Sequence, residues 1–299
     1  MSRIAIILLQ LSILALSSCS GTKKAMHTLA SDIQSELGKQ KGVFAVAFKD
    51  LQTGKQININ DRVSFHAAST MKTPVMIEVY KRATEGKFSL SDSIVLKNEF
   101  KSIVDGSLYR LDSTDDSETE LYKHIGEKRT IAALVYYMII VSSNLATNII
   151  IELADAKKVT ETMRTYGAKD IQILRGVEDN KAYEKGLNNT TTAHDLLLIF
   201  EKIAKGEAVN PGASKAMIKT LLDQRFNEII PAQLPAGVKV AHKTGSITGI
   251  NHDSGIIFLP DGRKYLLVLL SKNVEDKEAA VKAMANVSEI IYRHTILSR

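Results

Sequence analysis

Strand-forming runs lie only towards the two ends of this 299-residue chain, and the long stretch between them carries helical spacing. Gly42-Val-Phe-Ala-Val-Ala-Phe48 and Gln56–Asn60 read as the arms of a hairpin turning at Thr53-Gly54. Strand character returns only at Val238–Lys243, Ser254–Leu259 and Lys264–Leu270, the last two joined by a Pro260-Asp-Gly262 turn. Residues from about 88 to 205 carry no convincing strand run. The pattern predicts an α/β (α+β) fold: one antiparallel sheet of about five strands drawn from both termini, flanked by helices, with an all-helical insertion. On this reading residues 26–87 and 206–299 form the α/β part and 88–205 the helical part of one unit.

Helical stripes support this layout. Leu29, Ile33 and Leu37 align within Met26–Lys39, and Met71–Thr84 is helical, with Pro74 tolerated in the first turn, where its missing N–H has no partner to lose. Thr130–Leu153 is the most apolar run, Asp195–Lys205 is amphipathic, and Lys277–Ile296 closes the chain. Asp112–Glu120, acidic and serine-rich, reads as a surface loop.

The first residues read as a targeting segment. Arg3 precedes an apolar run from Ile4 to Leu16, and Leu16-Ser-Ser-Cys19 ends it with small residues. The ending resembles a bacterial lipoprotein signal, which implies cleavage before Cys19, lipid attachment to its sulfur, and a mature chain tethered to a membrane in the cell envelope, on the periplasmic side. An ordinary secretory signal is the alternative. A run of about 13 apolar residues is too short for a spanning helix of about 20. Cys19 is the only cysteine, so no disulfide within the chain is possible and no thiol is left for catalysis. The net charge of +6 is dispersed, and there is no Trp, so nothing points to nucleic-acid binding. The histidines show no close ligand spacing, so neither metal nor organic cofactor is expected.

Three short patterns carry the chemistry: Ser69-Thr-Met-Lys72, Ser142-Ser-Asn144 and Lys243-Thr-Gly245. Alone, each is weak. Ser20-Gly-Thr-Lys23 repeats the first form and Ser271-Lys-Asn273 the second, with no evident catalytic context. Together, in this order, they describe serine acyl transfer in which a lysine handles the proton. Ser69 enters a helix, where first-turn N–H groups favour a developing oxyanion. Lys72 lies one turn on, and a second cation such as Lys243 in a dry pocket would weaken its hold on its proton. Gly245 would let a substrate backbone approach the strand edge, while Lys243, Thr244 and Ser246 offer charge and hydroxyls for a carboxylate.

Phe65-His-Ala-Ala-Ser-Thr-Met-Lys72, Met138-Ile-Ile-Val-Ser-Ser-Asn-Leu-Ala-Thr-Asn148, Asn189-Thr-Thr-Thr-Ala193 and Leu234–Gly245 resemble the active-site segments of class A β-lactamases and related penicillin-recognising serine enzymes. The resemblance runs from about residue 26 to the end. It implies Ser69 as the acylated nucleophile, Lys72 as proton acceptor, and Ser142 as relay to the leaving nitrogen. Asn144 would bind the substrate amide, and Lys243, Thr244 and Ser246 the substrate carboxylate. The backbone N–H groups of Ser69 and Ser246 would form the oxyanion hole. The expected activity is β-lactam hydrolysis by a monomer, a source of antibiotic resistance.

The sequence departs from the family in three places. Ser143 stands where the second motif usually has Asp. The deacylating glutamate has two candidates: Glu178, favoured by loop length after Arg175, and Glu184, which fits the Glu-x-x-Leu-Asn wording of Glu184-Lys-Gly-Leu-Asn188. A helix across Val177–Lys185 would set them roughly 120° apart at about 100° per residue, so only one would face Ser69. No arginine follows the third motif before Gly262, and His252 is the nearest substitute, with little expected contribution. Two rival functions remain: a D-alanyl-D-alanine peptidase or penicillin-binding protein, which lacks efficient deacylation, and a non-catalytic envelope lipoprotein that kept the fold.

Overall fold

The computed structural model describes residues 24–297; the segment 1–19 and Cys19 lie outside the described residues. The strands from the two ends meet in one antiparallel sheet. β1 (Val43–Asp50) and β2 (Gln56–Ile59) form the first hairpin, and β3 (Lys239–Ile247), β4 (Ile250–Phe258) and β5 (Lys264–Lys272) form the closing meander. The order across this five-stranded sheet is β2-β1-β5-β4-β3. Val43 pairs with Lys272 and Asp50 with Tyr265, so the join between β1 and β5 closes nearly the full length of the chain.

Both faces of the sheet are buried, which is why its central strands read as continuous apolar runs. Phe44, Val46 and Phe48 of β1, with Tyr265, Leu267 and Leu269 of β5, face one layer. That layer is α1 (residues 24–37) and α9 (Lys277–Leu297), which contribute Leu29, Ile33 and Leu37 and Ala283, Met284, Val287 and Ile291. Ala45, Ala47, Leu266, Val268 and Leu270 face the opposite layer.

The opposite layer contains α2 (Lys72–Thr84), whose first eight residues are all buried. Around it lie α3 (Ile131–Ile140), α4 (Asn144–Ala154) and α5 (Ala156–Thr165). The short α6 (Asn180–Glu184) precedes α7 (Ala193–Ala204) and α8 (Pro211–Leu222). Although α7 falls within 88–205, it lies against β1 and β5, and one apolar core runs unbroken from the sheet through α2 into α3, α4 and α5.

Three local differences from the sequence reading matter. The apolar run over Thr130–Leu153 is two helices, because Val141–Ser143 breaks it and Ser142 turns with φ 56°. Small ladders occur within and beside the helical part, at Ser93–Val95 with Lys128–Thr130, Phe100–Lys101 with Leu108–Tyr109, and Phe65–His66 with Thr190–Thr191. Two or three residues are too few to show a period of two. The acidic loop is a loop, but Asp116 within it is buried, at 6% exposure.

Phe48 is 2% exposed and lies 5.7 Å from Tyr265, ring centroid to centroid, in the layer covered by α1 and α9. Phe48→Ala should lower stability by about 3–5 kcal/mol without changing the denaturant slope, measured by urea unfolding.

Candidate active site

Ser69 sits on a single 3₁₀ turn, Ala68–Met71, that feeds directly into α2. It is half-buried between buried Ala68 and Thr70. The turn is tied from three sides: Thr70 Oγ1 donates to Ala67 O at 2.6 Å, Ala68 N to His66 Nδ1 at 3.0 Å, and Ala67 N to Asn189 O at 2.8 Å. Strand β3 passes close by. A methyl group on Gly245 would lie 3.0 Å from Ser69 N and 3.1 Å from Thr70 N. The glycine is therefore required by the turn that carries Ser69, and not only by an approaching substrate as the sequence suggests.

Lys72 is fully buried and directs its ammonium at the turn between α3 and α4. Nζ donates to Ser142 O at 2.7 Å, Ser142 Oγ at 3.1 Å and Asn144 Oδ1 at 3.0 Å, which accounts for all three protons. Lys243, also fully buried, donates to the same Ser142 Oγ at 3.1 Å and to Thr244 O at 2.9 Å. A hydroxyl that accepts from two ammonium groups keeps its own proton free to point elsewhere.

Burial pulls the Lys72 pKa down to about 7, against the upward pull of Asp116 and Glu178. Lys243 is pushed well below 10.5 by burial and by Lys72, while Asp253 pulls it back. Lys72 thus weakens the hold of Lys243 on its proton, whereas the low proton affinity of Lys72 itself comes from burial.

Glu178 approaches from the loop opened by Arg175. Its Oε1 accepts from Asn144 Nδ2 at 2.7 Å, so one amide bridges Lys72 and Glu178. Burial raises the Glu178 pKa, Asn144 lowers it through that hydrogen bond, and Asp116 raises it. Glu184, the last residue of α6, is exposed. The two glutamates are separated by a change of backbone, because Glu178 lies before α6 with φ 59°. Asn148 fixes this stretch: its Oδ1 accepts from Val177 N at 2.7 Å and its Nδ2 donates to Val177 O at 3.0 Å. Gly176 leaves room for that amide, since a methyl there would come within 2.1 Å of Asn148 Oδ1.

Two depressions meet at Ser69. One, of about 530 Å³, is lined by Ser142, Asn144, Thr244, Gly245 and Ser246, and the other, of about 400 Å³, by Glu178 and Arg175 among others. Ser69, Asn144 and Ser246 line both. Lys243 stands behind the wall of the first, so Thr244 and Ser246 present the polar surface there and the Lys243 charge acts from one layer back. Ser246 is exposed and its Oγ donates to Asn251 Oδ1 at 3.3 Å.

His252 lines the larger depression, yet it is fully buried between Phe65 and the strands. Its Nδ1 accepts from Ser271 N at 3.2 Å and its Nε2 donates to His66 O at 2.9 Å. Burial lowers its pKa to about 4, so it is neutral at pH 7 and does not replace an arginine's charge. Among the described residues no cluster of three or more His, Cys, Asp or Glu could hold a metal ion.

The model of the Beta-lactamase enzyme family matches residues 28–295, nearly all of this chain. The chain belongs to the class A β-lactamase family. A β-lactamase of Bacteroides uniformis is 25% identical over 300 residues, which is 94% of this chain and 97% of its own. The crystal structure of a β-lactamase from Sphaerobacter thermophilus has a TM-score of 0.78 at 26% identity, covering 91% of this chain and 98% of that one. PBP-A shares the fold to the same degree, TM-score 0.78 at 24% identity, over 90% of this chain and 96% of its own.

Within this family's site the motifs missed two residues. Asn148 closes the segment quoted for the second motif, but its role emerges only when the Glu178 loop folds over it. Asp116 lies in none of the motifs, and its Oδ2 accepts from Asn144 N and Leu145 N, each at 2.9 Å.

Because the folded pKa of Lys72, about 7, lies below the ordinary 10.5, the buried lysine penalises the folded state most below pH 7. The penalty fades as pH rises from 7 towards 10.5. Lys72→Met should therefore gain stability relative to the parent in acid, and the gain should shrink by up to ~1.4 kcal/mol per pH unit above pH 7. Urea unfolding from pH 6 to 10 measures this; a difference independent of pH would contradict it.

Proposed function

We propose that this chain hydrolyses β-lactams through an acyl-enzyme on Ser69. The observation that carries the reading is the hydroxyl of Ser142, shared by two buried lysines beside a half-buried serine, with Glu178 held on the same amide as Lys72. Lys72, poised near neutrality, takes the proton of Ser69 Oγ as that oxygen attacks the lactam carbonyl carbon. The backbone N–H groups of Ser69 and Ser246 stabilise the oxyanion. Collapse breaks the C–N bond, and Ser142 passes its free proton to the leaving nitrogen while taking the proton that Lys72 received from Ser69, along the 3.1 Å hydrogen bond from Nζ to its Oγ. Asn144 binds the substrate amide, and Thr244 and Ser246 its carboxylate, in the field of Lys243.

Deacylation needs a base on the other side of Ser69, and Glu178 lines that depression. Its raised pKa makes it a stronger base than an ordinary carboxylate. Water, activated there, adds to the ester and releases Ser69 with the ring-opened acid.

One observation favours a second reading. PBP-A shares this fold, and a variant of it has been solved as an acyl-enzyme complex with penicillin G. A D-alanyl-D-alanine peptidase would likewise acylate on Ser69 but would hold β-lactams as a persistent adduct. We further propose that Cys19 carries a lipid and tethers a monomer to a membrane facing the periplasm; Cys19→Ala should then shift the protein from the membrane to the soluble fraction.

Turnover of a chromogenic cephalosporin, with intact mass taken after brief exposure to penicillin, tests the main reading. The parent should turn over many times with only a transient adduct, and Ser69→Ala should form none. Glu178→Gln should lose turnover by about 10²-fold or more and accumulate the adduct, whereas Glu184→Gln should behave as the parent does. A single turnover that leaves the parent modified would establish the peptidase reading, and absence of any adduct would overturn both.

A further inference from the structure

Asp116 is a buried carboxylate that none of the three motifs contains. Its neighbours Asp115 and Ser117 line the larger depression, while Asp116 itself turns inward. There it gathers five donors. Oδ2 accepts from Asn144 N and Leu145 N at 2.9 Å each, from the Tyr122 hydroxyl at 3.0 Å and from Ser143 Oγ at 3.4 Å, and Oδ1 accepts from Glu118 N at 3.1 Å.

These bonds divide the N-terminus of α4 between two side chains. Ser143, the residue before the helix, accepts from Ala146 N at 3.2 Å, the ordinary work of a cap. The two preceding N–H groups, of Asn144 and Leu145, are taken by Asp116. The carboxylate thus also faces the positive end of the helix. It fixes the backbone of the residue whose amide bridges Lys72 and Glu178, and the turn in which Ser142 is held at φ 56° with both its oxygens on Lys72.

We propose that Asp116 is the positioning residue of this site: from a loop outside the motifs it clamps the turn between α3 and α4, so that Ser142 and Asn144 stay on Lys72, and it holds a negative charge near that lysine without reaching the substrate. The proposal rests on the acyl-enzyme reading given above. The groups that face Lys72 support it. Asp116 and Glu178 raise its proton affinity, Asp116 the more, and Lys243 lies across the shared Ser142 hydroxyl. Loss of the Asp116 charge therefore lowers the pH at which Lys72 becomes neutral, while loss of the clamp loosens the groups that aim it.

The test compares the parent with Asp116→Asn by two readouts. The first is the titration of the Lys72 side-chain nitrogen by NMR, which needs no activity. The second is the pH profile of Ser69 acylation by penicillin, followed by mass. Asp116→Asn should move the Lys72 midpoint and the acid limb of acylation to lower pH together. It should also reduce the plateau acylation rate on the order of 10²-fold, the usual cost of misaligned reacting groups.

Placing a carboxylate at the neighbouring buried position, Asp116→Asn with Ser143→Asp, should restore both the midpoint and the plateau, because Ser143 Oγ already lies 3.4 Å from Asp116 Oδ2. Thermal unfolding of each variant shows whether it is folded. A folded Asp116→Asn with an unmoved Lys72 midpoint overturns the proposal, as does a fall in melting temperature alone with the parent's pH profile. If the parent itself forms no adduct, the acyl-enzyme reading fails, and the Lys72 titration still decides the role of Asp116.

Discussion

The site depends on the burial of Lys72. An ammonium group taken out of water is costly unless its hydrogen-bonding capacity is filled. Here the three acceptors come from a single turn, the carbonyl and hydroxyl of Ser142 and the amide of Asn144. They preserve the option of charge and Asp116 and Glu178 favour it, while desolvation works against it, and the balance falls near neutrality. A lysine on the surface at the same position would stay protonated near pH 7 and have no free electron pair with which to accept a proton. The turn between α3 and α4 therefore has to be held in place, because small shifts in its oxygens would tip the balance either way.

That requirement is visible in the backbone. Among the described residues seven non-glycines have positive φ, and three of them, Ala68, Ser142 and Glu178, surround the cleft. Such conformations cost about 1–3 kcal/mol each and persist only where the surroundings over-determine them. The surroundings do so here: His66 and Asn189 tie the turn of Ser69, Asp116 and Ser143 cap α4, and Asn148 grips the residue before Glu178. Ser142 and Glu178 point a hydroxyl and a carboxylate into a small volume, and Ala68 opens the turn that carries Ser69 to it.

Much of the fold was legible because both layers of the sheet have sequence-local signatures. The stripe of Leu29, Ile33 and Leu37 and the apolar runs of β1, β4 and β5 mark their elements by period and length, and their apolar side chains are buried except Val43 and Phe258, which are partly so. The break at Val141–Ser143 was not legible, because apolar spacing continues through it and only tertiary contacts hold Ser142 at φ 56°. By sequence the acidic loop reads as a surface loop, because charge runs are usually solvated. Asp116 escapes that rule only because Tyr122 and two backbone N–H groups of α4 replace its water.

The sequence by itself determined the three motifs, with their serines and two lysines, and the sheet that joins the chain's ends. These reside in residue types at short spacing and in hydrophobic periods, both of which are local properties. Tertiary structure set Glu178 against Asn144 and left Glu184 exposed, placed Lys243 behind the cavity wall, left His252 neutral, and recruited Asp116 and Asn148. Those outcomes turn on burial and on hydrogen bonds between residues tens of positions apart. A proton's affinity for a side chain depends on what surrounds it in space, which no local pattern encodes.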